Sequence, residues 1–195
     1  MKNIIAILIF IFFQSSNIFA DESNKIKRIT VGSKDAKITI IIYESLTCSH
    51  CANFHTNVLP KLKEEFIDNG IVKIEFRHFP LDVAALNAAK LSQCKNEGNT
   101  KILDSLYLNQ SKWRKGNTIE DVNQNLKNLL KSKGFNLDFN KCTSDESIQD
   151  FILNDKVEGI KKFKVNATPT IIINDKKFEK PLNYKNLKKT LEKMI

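Results

Sequence analysis

A run of β-branched residues leads straight into a cysteine pair: "KITIIIY", residues 37–43, then "ESLT", then Cys48-Ser49-His50-Cys51. A continuous apolar run of this length reads as a strand buried on both faces, as in a central parallel sheet. From Cys48 to about Phe66, apolar residues recur at Phe54, Val58, Leu62 and Phe66, the spacing of a helix. The pair therefore stands where a buried strand turns into a helix. The first helical turn has unpaired N–H groups and partial positive charge, which stabilise a thiolate. Cys48, at the helix start, feels this most, and His50 can add a donor or a charge. Such surroundings lower a cysteine pKa from about 8.5 to between about 3.5 and 7.5.

The rest of the chain extends this unit. Pro60 falls inside the helix and is expected to kink it, because it removes a backbone donor. Gly70 reads as its left-handed cap. "IVKIEFRHFPL", residues 71–81, alternates Val72, Ile74, Phe76 and His78 with Lys73, Glu75 and Arg77 and reads as a strand ended by Pro80. Strand, helix, strand implies a right-handed crossover and parallel pairing. About 75 residues of helical pattern follow. Asp82 caps the first helix, and a second runs near 101–111. Thr118 and Asp121 form a capping box for a third, with apolar Ile119, Val122, Leu126, Leu129 and Leu130. Thr143 and Glu146 suggest another box opening a long helix. "NATPTIIINDKKFEK" then gives a strand at 170–174, a hairpin turn at "NDKK" and a short strand at Phe178. Residues 184–194 form a last amphipathic helix, and residues 21–36 read as a polar arm.

The order β-α-β, helical block, β-β-α is a small α/β domain carrying an insertion. The expected boundaries are a leader over 1–20, an α/β domain over 21–80 and 156–195, and the inserted helical domain over 81–155.

The N-terminus, "MKNIIAILIFIFFQSSNIFA", has one lysine, an apolar run from Ile4 to Phe13 and a small residue at Ala20. That is a secretory signal cleaved near Ala20. The run is well short of the roughly 20 residues that span a bilayer. Export puts the mature chain in the periplasm or another extracytoplasmic space, where disulfides persist. The net charge of +9 raises the question of nucleic acid, but of 31 lysines and arginines only Arg28, Arg77 and Arg114 are arginine. The lysines alternate with acids, as in "KLKEEF", and read as a solvated surface. No nucleic-acid partner is expected.

Three readings of the cysteine pair compete. A zinc ribbon needs a second CxxC, and here Cys94 and Cys142 stand alone, so no metal is expected. A structural bridge across so short a loop constrains almost nothing. A redox dithiol fits the strand–turn–helix context. "NATPTIII" adds to it. A proline directly before an apolar strand is either trans at an edge or cis in a tight turn, and beside a CxxC unit the cis form at Pro169 fits better.

"YESLTCSHCANFH", "VLPKLKEEFI", "FRHFPLD" and "NATPT" together resemble the DsbA-like thiol:disulfide oxidoreductases, which have a thioredoxin fold with a central mixed sheet and a helical insertion. The resemblance runs from about residue 30 to 190. It implies that Cys48 is the exposed nucleophile and Cys51 the buried resolving thiol, with Ser49 and His50 the pair that tunes the potential. Pro169 is implied as the cis-proline facing the site, and Thr168 as the residue whose backbone pairs with a substrate strand. It also implies a structural disulfide between Cys94 and Cys142, worth about 4 kcal/mol in the chain-entropy account. Two free thiols are the alternative. In two respects the chain departs from the family pattern. Ile42 stands where the family commonly has a buried acid, and Ser49 replaces the more usual proline. Glu44, two positions on, either points the same way as Ile42 and serves as a proton relay, or is a surface carboxylate.

The function this implies is an oxidase that introduces disulfides into exported proteins, with no cofactor beyond the Cys48–Cys51 pair. Its partners would be unfolded cysteine-containing chains and a DsbB-like, quinone-linked membrane reoxidase, and it would act as a monomer. A disulfide isomerase or reductase using the same pair is the alternative. A redox-inert thioredoxin-fold binding or chaperone protein belongs to another class.

Overall fold

The β-branched run does become the centre of a sheet. A computed structural model describes residues 25–195. The expected leader lies outside the described residues. The strands are β1 Ile29–Val31, β2 Ile38–Glu44, β3 Val72–His78, β4 Thr170–Ile173 and β5 Lys176–Lys177. Their order is β1-β3-β2-β4-β5. β2 runs parallel to β3 and antiparallel to β4, and β1 and β5 are antiparallel edges. This is a mixed sheet, and the architecture is an α/β fold with a helical insertion.

Between β2 and β3 runs one helical rod. It begins as α1 Ser49–Asn53, passes through a π-helical turn at Phe54–Val58, continues as α2 Leu59–Leu62 and ends in a second π-helical turn at Lys63–Ile67. Pro60 is absorbed here. The widened turn before it lets the Leu59 N–H reach back to the Phe54 carbonyl, so the missing proline donor is accommodated inside the rod. Gly70 closes the rod at φ +71°.

The insertion holds α3 Val83–Gln93, α4 Lys101–Leu108, α5 Gln110–Trp113, α6 Ile119–Ser132 and α7 Phe139–Ser144. Asp82 caps α3 through the Ala85 N–H, and the Thr118–Asp121 capping box opens α6. Three expectations are corrected in detail. The helix expected over 101–111 breaks at Asn109 into α4 and α5. Thr143 lies inside α7 and donates to the Phe139 carbonyl, while Asp145 caps the long helix α8 Glu146–Phe163. The polar arm contains β1, whose Ile29 is buried and pairs with Phe76.

α8 runs unbroken past residues 155 and 156. Its first half buries Ile148 and Ile152 in the main core, and its second half packs on Tyr43, with Phe163 joining Tyr43, Phe79 and Ile172 in a second cluster. The approach is close: a Cβ at Gly159 would stand 2.7 Å from the Tyr43 ring. The β4–β5 hairpin turns at Asn174 and Asp175, both at positive φ, and β5 comprises Lys176 and Lys177 rather than Phe178. α9 Tyr184–Leu191 covers the rod with Leu187 and Leu191.

Candidate active site

Cys48 is the residue that caps the rod. Its backbone is extended (φ −78°, ψ 122°), and the chain becomes helical from Ser49. The cap position directs the N–H groups of His50 and Cys51 at the Cys48 sulfur. The two thiols are free. A hydrogen bond from the Cys51 thiol is the largest influence on Cys48. It outweighs partial burial and acts with Thr168 and the two N–H groups to bring Cys48 down to about 5. Cys51, fully buried, is pushed far up, first by burial, then by its bond to Cys48 and by the Glu44 charge. The pair thus combines a ready thiolate with a thiol that holds its proton.

The Thr168–Pro169 peptide is cis, and the Thr168 carbonyl oxygen lies 3.3 Å from Cys48 Sγ. The Thr168 hydroxyl is buried with no hydrogen-bond partner among the described residues. Thr168 and Pro169 line a groove of about 180 Å³ with His50, Asn53, Phe54 and Leu182. His50 is exposed at its edge, and Ser49 beside it in the chain is exposed as well. His50 acts on Cys48 through its backbone N–H, so its ring is free to meet what enters the groove.

Glu44 takes the inward alternative. It is 1% exposed, with Oε2 2.8 Å from His55 Nε2. Ile42 is wholly buried in the apolar core. Burial raises the Glu44 pKa, against the pull of His55. For His55, burial opposes the charged form, but Glu44 and Asp104 hold it up to about 9.

Three residues at the site were not picked out from sequence. His55 follows Cys51 by one helical turn, and that i, i+4 spacing on the buried face was the available signal. Gln110 donates its amide to the carbonyls of Leu46 and Cys48, at 2.8 and 2.9 Å. Asp82, read only as a helix cap, also accepts from the Thr47 hydroxyl at 2.8 Å. The turn before Cys48 is thus clamped by two residues that follow β3. In the insertion, Cys94 and Cys142 are bridged, joining the end of α3 to α7. Among the described residues, no group of three or more His, Cys, Asp or Glu could hold a metal ion.

A sequence profile of the family described as Thioredoxin matches residues 24–193. The crystal structure of Wolbachia pipientis alpha-DsbA1 superimposes with a TM-score of 0.76 and 34% identity, over 85% of this chain and 89% of that one. The chain belongs to the DsbA-like branch of the thioredoxin family. Among curated relatives of this DsbA-like chain, a putative protein-disulfide oxidoreductase of Rickettsia bellii is 30% identical over 149 residues, 75% of this chain and 56% of that protein. A probable disulfide bond formation protein D of Bacillus cereus is 26% identical over 98% of this chain and 93% of its own length. The chain spans little more than half the length of the Rickettsia relatives it matches first.

Proposed function

We propose that this DsbA-like chain is an exported thiol:disulfide oxidase that places disulfides in secreted proteins through Cys48–Cys51. One observation carries the reading: within a single helical turn, Cys48 is lowered to about 5 and Cys51 is driven far upward. A disulfide whose exposed sulfur is a stable thiolate once released is a strong oxidant.

In the oxidised enzyme, a client thiolate attacks Cys48 Sγ. The Cys48–Cys51 bond breaks, its electron pair goes to Cys51, and a client–Cys48 mixed disulfide forms. Cys51 takes up a proton, with Glu44 as the relay. A second client thiolate attacks the client sulfur, Cys48 leaves as a thiolate, and the client departs oxidised. Thr168 offers backbone pairing to the extended client, Pro169 and the groove offer apolar contact, and Ser49 and His50 tune the potential. By family resemblance, a quinone-linked DsbB-like membrane protein reoxidises the pair. The leader sequence supports export to the periplasm, and the protein acts as a monomer. The Cys94–Cys142 bridge is structural.

The test is the redox equilibrium of Cys48–Cys51 against glutathione, with Cys94 and Cys142 intact. The oxidase reading expects a potential well above the about −270 mV of thioredoxin, toward the about −120 mV of DsbA, the family's namesake. A value near thioredoxin's moves the chain to the reductases or isomerases. A pair that resists mild reductant altogether makes it a redox-inert binding protein.

A further inference from the structure

Cys51 has no surface of its own, yet thiol exchange requires its proton to come and go. Glu44 is just as deeply buried, so it cannot exchange that proton with solvent directly. Behind Glu44 stands His55, whose Nε2 lies 2.8 Å from Glu44 Oε2 and whose Nδ1 lies 3.7 Å from Asp104 Oδ1. The Asp104 side chain is 39% exposed. It opens on a surface cleft that also holds Lys101, Ser105 and Lys133. We propose that His55 and Asp104 form a proton outlet for Cys51, running from Glu44 through the imidazole to this cleft on the inserted helices. This rests on the thiol-exchange reading above.

A purely structural ion pair is the competing account, and the geometry argues against it. Stability alone favours apolar side chains over a buried charge pair, or else full satisfaction of every polar atom. Here Glu44 Oε1, His55 Nδ1 and the Tyr107 hydroxyl are all buried without a hydrogen-bond partner among the described residues. The imidazole is also held for the task. The Tyr107 ring stacks on it with centroids 3.9 Å apart and planes 20° from parallel, and Phe76 lies on it at 5.4 Å. Imidazole can take a proton at one nitrogen and release one from the other. The gap from Nδ1 to Asp104 is one that a water or a small rotation of the half-exposed carboxylate closes.

The titratable groups around the path are few. Glu44 faces His55 from β2, Asp104 and Tyr107 face it from α4, and Cys51 and Cys48 precede it on the rod. His78, opposite Glu44 on the β2–β3 ladder, bonds Ser92 and is held neutral by burial, down to about 4. Two carboxylates on either side of one imidazole therefore set its charge. When a client opens the disulfide, Cys51 receives the electron pair and takes a proton from Glu44. His55 returns one to Glu44, and Asp104 passes one inward from solvent. When the pair is reoxidised, Cys51 loses its proton along the same route outward before its thiolate attacks the Cys48 mixed disulfide.

Ellman's reagent separates the two thiols. Reduced Cys48 attacks it and releases a first thionitrobenzoate. Cys51 must then lose its proton to attack Cys48 and expel a second. The outlet predicts that His55→Gln slows the second release by about 100-fold, the lower end of the usual range for proton-transfer groups, and that Asp104→Asn, one step further out, slows it by about tenfold. Its pH profile shifts in both, and Asp104→Glu restores it. The first release is the internal control. Asp104→Asn carries the test if His55→Gln does not fold, because its side chain lies at the surface. A second release with wild-type rate and pH profile in Asp104→Asn overturns the outlet while leaving the oxidase reading intact. A wild-type protein with no fast first release overturns the thiol-exchange reading itself, and the outlet with it.

Discussion

Gln110 Nε2 lies 2.9 Å from the carbonyl oxygen of Cys48, a bond between residues 62 positions apart. The same amide holds the Leu46 carbonyl at 2.8 Å. The inserted helices thereby fix the turn that presents Cys48. Gln110→Ala removes both bonds and leaves a buried carbonyl short of a partner, so a loss of about 2–4 kcal/mol is expected. The urea midpoint should fall with the slope unchanged. A midpoint equivalent to less than about 0.5 kcal/mol of change would show that the clamp contributes nothing.

The Cys48 thiolate should appear in an ultraviolet titration with a midpoint of about 5, and Cys51→Ala should raise that midpoint by removing its main donor. The depressed value also links redox state to stability. A group whose folded pKa lies below its unfolded value stabilises the fold at pH above the unfolded value, and that contribution is lost as pH falls through the folded one. The reduced form is therefore expected to melt above the oxidised form at pH 7, with the gap closing as pH falls toward 5. Above about pH 8.5 the raised Cys51 works the other way, because the unfolded thiol then ionises. Melting curves of both forms from pH 5 to 8 check this, and an oxidised form that is the more stable at pH 7 contradicts it.

Arg28, just before β1, pairs with Asp155 on α8 and with Glu75 on β3. Asp155 is 1% exposed, and burial raises it to about 6 even with Arg28 opposing. Arg28→Ala strands that carboxylate, at an expected cost of about 3–5 kcal/mol at neutral pH. Without Arg28 the buried Asp155 protonates at a higher pH than in the wild type, so the deficit should shrink as pH falls toward 6 and be small below it. A deficit that stays constant from pH 7.5 to 5 would mean that Asp155 is not what the arginine serves.

The Cys94–Cys142 bridge closes 48 positions of sequence and ties α3 to α7. Replacing both cysteines by alanine is expected to lower stability by about 2–5 kcal/mol. The Cys48–Cys51 potential, measured on the same variant, is the companion reading. A large change there with little change in stability would move the bridge from structure to function.

Local signals were legible in the sequence, and distant ones were not. The strand at Ile38–Glu44, the caps at Asp82 and Thr118 and the dithiol at the helix start each declare themselves within a few residues. β1 did not, because three residues between Arg28 and Gly32 carry no periodicity. What makes Ile29–Val31 a strand is Phe76 and Ile74 across the sheet. Asp145 outcompeted Thr143 as a cap because α7 already held Thr143 in helix. At the site, the two sulfurs and the proline loop could be read. Gln110 and Asp104 could not, since each reaches the site only through the packing of the insertion. The direction of Glu44 stayed open because a carboxylate at a strand end is normally wet, and only a buried histidine one turn past Cys51 makes the inward choice tolerable.

The two ends of the sheet have a further consequence for a protein whose proposed clients are unfolded chains. Such chains look for any exposed strand to zip onto, and a catalyst offering one would seed its own aggregates. β5 is two residues long and both are lysine. β1 is three residues long, and its Thr30 N–H is already taken by the Gly98 carbonyl at 3.0 Å. Short, charged or occupied edges resist capture. The molecule can therefore meet sticky polypeptide at its groove without becoming part of the tangle.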